Sequence, residues 1–293
     1  MEKFCIALSS SGDLFFDERV NNSIFCAPIK YLDGKVFKTD SIDNPSVYRR
    51  FYEKLRNGKN FRLKFPTKSE LSEFFDGLIE QGHTSILYIA SSSALSTDFD
   101  NAQKAALESM VKYRNSEIYV LDSLSIGPQK GFIALLASSY RFSMNVAEAY
   151  LTVKEKVCSV CSFAIIYDSS FIAKSGVVSE SLLKGGEQIG IKPVLALTEG
   201  GELTVYKKAK SEKNAVMSVI RYAEDYATDK STFFVYTADN TRNELFVIKT
   251  LQEKFPGCSI KTGCIGMTNG LIFAPNAIFI GFYAPRIPSK PQN

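Results

Sequence analysis

The sequence predicts an α/β chain: an N-terminal, mostly parallel sheet with helices on both faces, followed by a C-terminal α+β domain with a mixed sheet. Three observations carry this prediction. Short apolar runs alternate with helical periodicity through the first half, the pattern of strands joined by helical crossovers. The second half holds a strong β-hairpin among further strands and helices. The chain is 293 residues long, which suits two cores better than one. The expected division is 1–157 and 158–293.

In chain order, residues 3–8 read as the first strand and lead into Ser9-Ser10-Ser11-Gly12-Asp13-Leu14. Residues 24–32 read as the second strand, closed by the Asp33-Gly34 turn. A helix opens at Asn44-Pro45-Ser46 and runs to Leu55; another covers 68–81, with Leu71, Phe74, Phe75 and Leu78 on one face. The run ILYIA at 86–90 is the next strand. Residues 97–112 are helical, with Leu95, Phe99, Ala102, Ala106, Met110 and Tyr113 recurring every three or four positions. A strand at 118–121 ends in DSLSIG, and a helix follows over about 130–140. In the second half, FAIIYDSS at 163–170 is a strand and loop. Residues 192–209 alternate around Glu199-Gly200-Gly201-Glu202 as a hairpin. Helices over 213–226 and 243–255 and strands at 232–237, 259–265 and 277–283 complete the chain. The proline-bearing tail at 285–293 is expected to be disordered or to lie on the surface.

Composition excludes several classes of function. A net charge of +4 with scattered lysines lacks the clustered basic face that nucleic acid calls for. No apolar run approaches the roughly 18 residues of a membrane span, and the start is too short for a signal sequence, so a cytoplasmic protein is expected. Six cysteines without a secretion signal read as reduced thiols; Cys158 and Cys161 form a C-x-x-C with no second pair, so burial is expected rather than metal. The single histidine, His83, precedes the central strand and should lie at the end of the sheet opposite the serine turn that follows that strand. A histidine-based nucleophilic enzyme is therefore not expected, nor is a histidine-rich metal site. No Gly-rich phosphate loop is present to support an enzyme acting on phosphorylated metabolites. No cofactor is expected.

Serines gather where a ligand would bind. In open parallel sheets the ligand crevice lies beyond the carboxyl ends of the strands. Three such ends carry hydroxyls: Ser9, Ser10 and Ser11; Ser91, Ser92, Ser93 and Ser96; Ser123 and Ser125. The stretch before the helix at 97 places hydroxyls and free N–H groups at the helix's positive end, which suits an anion. Ser96 reads equally as that helix's N-cap, with the other serines satisfying the turn.

These residues carry a resemblance that spans nearly the whole chain. KFCIALSSSGDL is similar to the opening strand and D-S-T-x-D-L turn of the DegV family, bacterial two-domain proteins that bind long-chain fatty acids. Ala27-Pro28-Ile29 with Asp33-Gly34 resembles the next strand and turn. SSALS at 92–96 resembles the family's S-S-x-L-S-G-T, and DSLSIG at 122–127 its D-S-x-x-x-S-x-G. GIKPVLALTEGGEL at 190–203 resembles its I-K-P hairpin.

The resemblance implies a long-chain fatty acid such as palmitate or oleate held at the cleft between the two domains, with its carboxylate on hydroxyls. It places Ser96, with Ser93 and Ser92, as carboxylate ligands, and Leu63, Lys64, Ser10 and Thr268 as further candidate head-group contacts. The implied role is a non-enzymatic carrier or presenter in fatty-acid metabolism, with a fatty-acid kinase-like protein as partner. The alternative is a DegV-fold interaction protein that has lost fatty-acid carriage. Departures from the family pattern motivate that alternative. Leu63 stands where the family has a carboxylate-binding threonine. Ser175-Gly176-Val177-Val178 replaces its G-G-R-I. GMTNG, with Thr268 and Asn269, occupies the loop that carries a histidine in kinase-partner proteins. Thr97-Asp98 replaces G-T and is expected to bring a carboxylate near the ligand's own. Lys64 and Lys174 neighbour two of the altered positions and offer positive charge.

The acyl chain itself supplies the larger share of the expected affinity. At about 0.8 kcal/mol per buried methylene, a sixteen-carbon tail offers on the order of 11 kcal/mol. Lost freedom takes back about 4 kcal/mol or more. Losing one hydroxyl costs about 1 kcal/mol. Fatty-acid binding therefore tolerates altered head-group contacts, provided the carboxylate is not buried unpaired.

Overall fold

The structure, a computed structural model, describes residues 2–40, 45–168, 171–172 and 190–289. Ser175 to Val178 and Lys174 lie outside the described residues. Two compact units emerge: Met1–Asp43 with Phe61–Val157, and Asn44–Asn60 with Cys158–Asn293. The second therefore includes a stretch, 44–60, from within the first half of the chain.

The first unit is built on four parallel strands. β1 (Cys5–Ser9) is followed by α1 (Phe16–Asn21) and β2 (Ile24–Ala27), which pairs beside β1. Residues 24–32 do not form one continuous strand. Pro28 interrupts the run, since proline has no N–H for a ladder. The N–H of Ile29 goes instead to Ser10 Oγ at 3.0 Å. The chain then enters a separate antiparallel sheet of β3 (Lys30–Asp33), β4 (Val36–Thr39) and, after the 44–60 stretch, β5 (Arg62–Lys64), in the order β4-β3-β5. The 44–60 stretch carries α2 (Pro45–Arg56), described with the second unit.

α3 (Lys68–Glu80) begins with a capping box, Thr67 Oγ1 accepting from the Glu70 N–H while Glu70 accepts from the Thr67 N–H. β6 (Ser85–Ala90), α4 (Asp98–Lys112), β7 (Glu117–Asp122), α5 (Pro128–Ser139) and α6 (Val146–Lys156) complete the unit. The sheet order is β2-β1-β6-β7, parallel throughout. Strand alternation sorts its faces. Cys5, Ala7, Ile86, Tyr88 and Ala90 pack with Leu71, Phe75 and Leu78 of α3 and Ala102, Ala105 and Ala106 of α4. The alternate residues Ile6, Leu8, Leu87 and Ile89 are buried on the other face, where α5 and α6 contact the sheet. Helices thus cover both faces, as the periodicity predicts.

In the second unit, β8 (Val160–Ile165), β9 (Lys192–Leu197), β10 (Leu203–Ala209), β11 (Asp229–Thr237), β12 (Ser259–Cys264) and β13 (Ile278–Tyr283) form one mixed sheet, ordered β10-β9-β8-β13-β11-β12. Among the described strands of this sheet only the β11–β12 pair is parallel; the hairpin pairs antiparallel with a register shift between Val205 and Lys207. α7 (Glu212–Tyr226) and α8 (Thr241–Lys254) pack Val216, Val219, Ile220, Val247 and Leu251 against Phe163, Val194, Phe233 and Ile280.

GMTNG, expected as a loop, opens α9 (Met267–Phe273), whose seven residues are all buried. Burial overrides turn composition here. α2 belongs with this unit because Tyr52, itself buried, donates its hydroxyl to the Ile265 carbonyl at 2.8 Å, and Arg56 pairs with Asp239 at 2.6 Å. The tail, expected to be disordered or to lie on the surface, exposes Pro285, Pro288 and Ser289 but is tied down between them. Arg286 is buried and donates to the Val160 carbonyl, Ile287 accepts from the Glu199 N–H, and Ser289 accepts from the Gly200 N–H. Residues 285–289 therefore close against the sheet and hairpin.

Candidate functional site

The carboxyl ends of β1, β6 and β7 bring the serine turns together at one edge of the parallel sheet. After β1, Ser10 to Gly12 form a single 3-10 turn that ends with Asp13 in a left-handed conformation at φ 53°. After β6, Ser91 and Ser92 are buried, Ser93 is exposed and Ser96 is half-buried. After β7, Leu124 is left-handed at φ 48°, held by its N–H to Asp122 Oδ1 at 2.9 Å. His83 lies before β6, at the opposite end of the sheet, with its ring 4.6 Å from that of Phe25.

Much of the turn's hydrogen-bonding capacity is spent internally. The N–H of Ser92 donates to the Ser125 carbonyl, those of Leu95 and Ser96 to the Ser92 carbonyl, and that of Ser93 to Asp122 Oδ1. Ser96 is not the N-cap of α4. That position belongs to Thr97, whose side chain makes no capping bond, while Ser96 Oγ accepts from the Asp98 N–H at 3.3 Å. That bond leaves the Ser96 hydroxyl proton to donate elsewhere. Asp98 and Asp100 already supply negative charge to the first turn of the helix, so the dipole there is answered from within the chain.

Asp98, expected to bring a carboxylate near the ligand's own, turns its side chain inward beneath the serine turn. It is fully buried. Oδ2 accepts from Ser9 Oγ at 2.9 Å and from the Ser91 N–H at 2.8 Å, and Oδ1 accepts from the Tyr88 hydroxyl at 2.9 Å. Burial, with Asp98 beside it, drives the Tyr88 phenol well above its ordinary pKa.

Opposite Asp98 stands a residue the sequence reading passes over. Lys130, in the first turn of α5, is fully buried. Its Nζ donates to Ser9 Oγ at 2.7 Å, Ser11 Oγ at 2.7 Å, the Ser9 carbonyl at 3.1 Å and Ser91 Oγ at 3.2 Å. Burial lowers its pKa, opposed by the nearby Asp98 charge. Ser9 bridges the two charges, accepting from Lys130 and donating to Asp98. A lysine inside an otherwise apolar helical stretch, PQKGFIALLA, was the available signal.

The remaining candidates are placed as follows. Ser10 is buried, with its hydroxyl oxygen taken by Ile29 N–H. Leu63 is half-buried in β5, in register with Tyr31. Lys64 is ion-paired to Glu70 at 3.3 Å, alongside Lys30 at 2.8 Å, so its charge is already answered. Ser10, Ser92, Ser93 and Ser96 thus share the sheet edge, while Leu63 and Lys64 belong to the small antiparallel sheet. Thr268 is buried in α9 of the second unit. All six cysteines are unbridged. Cys161 is buried, which pushes its thiol up to about 12, and Cys158 is half-buried, donating to the Glu199 carbonyl. Among the described residues there is no cluster fit to hold a metal, and no helix is long and apolar enough to cross a membrane.

Comparison with known proteins agrees with this architecture. A DegV domain-containing protein of Clostridium perfringens is 26% identical over 282 residues, covering 92% of this chain and 94% of that protein. Among solved structures, a DegV lipid-binding protein from Thermotoga maritima superposes with a TM-score of 0.83 at 19% identity, over 97% of this chain and 99% of its own. The Streptococcus pneumoniae fatty acid kinase B3 protein, loaded with linoleic acid, also gives 0.83, at 16% identity over 96% and 99%. The sequence model for "Uncharacterised protein, DegV family" matches residues 3–284, and the chain belongs to that family.

Proposed function

We propose that this protein binds a long-chain fatty acid without turning it over and acts as its carrier or presenter. The observation that carries the reading is the meeting of Ser10, Ser92, Ser93 and Ser96 at the carboxyl edge of a parallel sheet, in a chain whose fold matches one protein described as lipid-binding and another loaded with linoleic acid. Ser96, half-buried and with its hydroxyl proton uncommitted by its bond to Asp98 N–H, is the principal carboxylate donor; exposed Ser93 and buried Ser92 flank it. The likeness to a fatty acid kinase B3 protein supports a fatty-acid kinase-like protein as partner. The test is mass spectrometry of lipid extracted from natively purified protein, with titration of palmitate and oleate. Bound acyl species or saturable binding supports the reading; neither, in folded protein, ends it.

One observation favours the second reading, an interaction protein that no longer carries lipid. The N–H groups of Ser91, Ser92, Ser93, Ser96 and Asp98 are all engaged within the chain, so the helix end offers a ligand hydroxyls more than amides. The same extraction separates the two.

A further inference from the structure

The buried pair beneath the serine turns makes a prediction of its own. Asp98 places its carboxylate directly under Ser91, the residue before the proposed carboxylate ligands, and is completely inaccessible to solvent. A second buried acid, Asp13, closes the turn after β1. Charges in such surroundings are poorly screened, so an anionic ligand bound above them would be repelled. A buried cation stands near both acids. Lys130 reaches from α5 to the hydroxyls of Ser9, Ser11 and Ser91, and shares Ser9 with Asp98.

We infer that Lys130 is a specificity-determining residue: by neutralising buried Asp98 through Ser9, it lets the serine edge accept an ionised carboxylate rather than an uncharged head group. The inference rests on the fatty-acid reading above. Lys130 touches no ligand in this account; it acts through the potential at the edge and through the hydroxyls it holds. Its ammonium takes oxygen lone pairs of Ser9, Ser11 and Ser91, and the Ser9 proton turns to Asp98. The ionisable groups that bear on it are Asp98, Cys26 and Asp13.

A structural role alone would lower the binding of every ligand, whereas an electrostatic one changes the preference between ligands of equal length. The experiment therefore equilibrates the full chain with equimolar oleate and oleyl alcohol and quantifies both in the protein-bound fraction by mass spectrometry. Lys130→Met keeps length and removes charge; it should shift the acid-to-alcohol ratio toward the alcohol by about fivefold or more. Asp98→Asn should shift the ratio in the opposite direction, and the double variant should return near the wild-type ratio. Where Lys130→Met does not fold, Lys130→Gln takes its place and should shift the ratio the same way. Unchanged ratios in both single variants, or shifts of the same sign, would overturn the role of Lys130 while leaving fatty-acid binding intact. Wild-type protein that takes up neither compound would overturn the binding reading itself.

Discussion

At the scale of single residues, the site depends on which hydroxyls remain able to donate. Ser96 accepts from the Asp98 N–H, so Ser96→Ala removes both a helix-start contact and a ligand donor. A hydrogen bond to a charged group is worth roughly 1.5 kcal/mol, so oleate should bind about tenfold more weakly to Ser96→Ala. Isothermal titration checks this, and an unchanged affinity would make the residue a turn element only. The serine cluster was legible because strand, small hydroxyl residues and helix follow one another within a dozen positions. Lys130 was not, because its partners Ser9, Ser11 and Ser91 lie 39 to 121 residues away in sequence and meet only in the folded sheet. The inward turn of Asp98 was hidden for the same reason. Nothing local shows that its carboxylate turns inward to Tyr88 and Ser9.

At the scale of elements, close backbone approaches and ion pairs hold the edge in place. Gly131 of α5 lies against the turn after β1; a Cβ there would overlap the Gly12 carbonyl oxygen and press on Leu14. Gly131→Ala should therefore cost about 1–3 kcal/mol, read as a lower urea midpoint. Glu70 links the start of α3 to the small sheet. Its bond to Lys30 first, then the Thr67 N–H and finally Lys64, hold its carboxyl at about 2. A depressed acid stabilises the fold above the ordinary glutamate range and loses that contribution as pH falls toward the folded value. Wild type should thus exceed Glu70→Gln in stability near neutral pH, with the gap closing between about pH 4.5 and pH 2 in acid-unfolding series.

Elements were legible where burial imposes a period. β6 is six residues of which five are buried, and α3 repeats an apolar face. β4 has no buried residue, so no alternation marks it. Pro28 split one apparent strand between two sheets. α9 carries turn-forming residues that only tertiary packing makes helical.

At the scale of the whole molecule, the parallel sheet and the mixed sheet agree with the class read from the strand-helix alternation and the hairpin. What the alternation cannot carry is the assignment of 44–60 to the second unit, which depends on Tyr52 and Arg56 meeting Ile265 and Asp239 some two hundred residues later. The functional account rests on that architecture presenting hydroxyls to a carboxylate above a neutralised buried acid. It is tested most directly by extracting natively purified protein and identifying the bound lipid by mass spectrometry. The account predicts a long-chain fatty acid at close to one molecule per chain, displaced by added oleate. Protein that is folded, carries no acyl species and takes up neither palmitate nor oleate would contradict it.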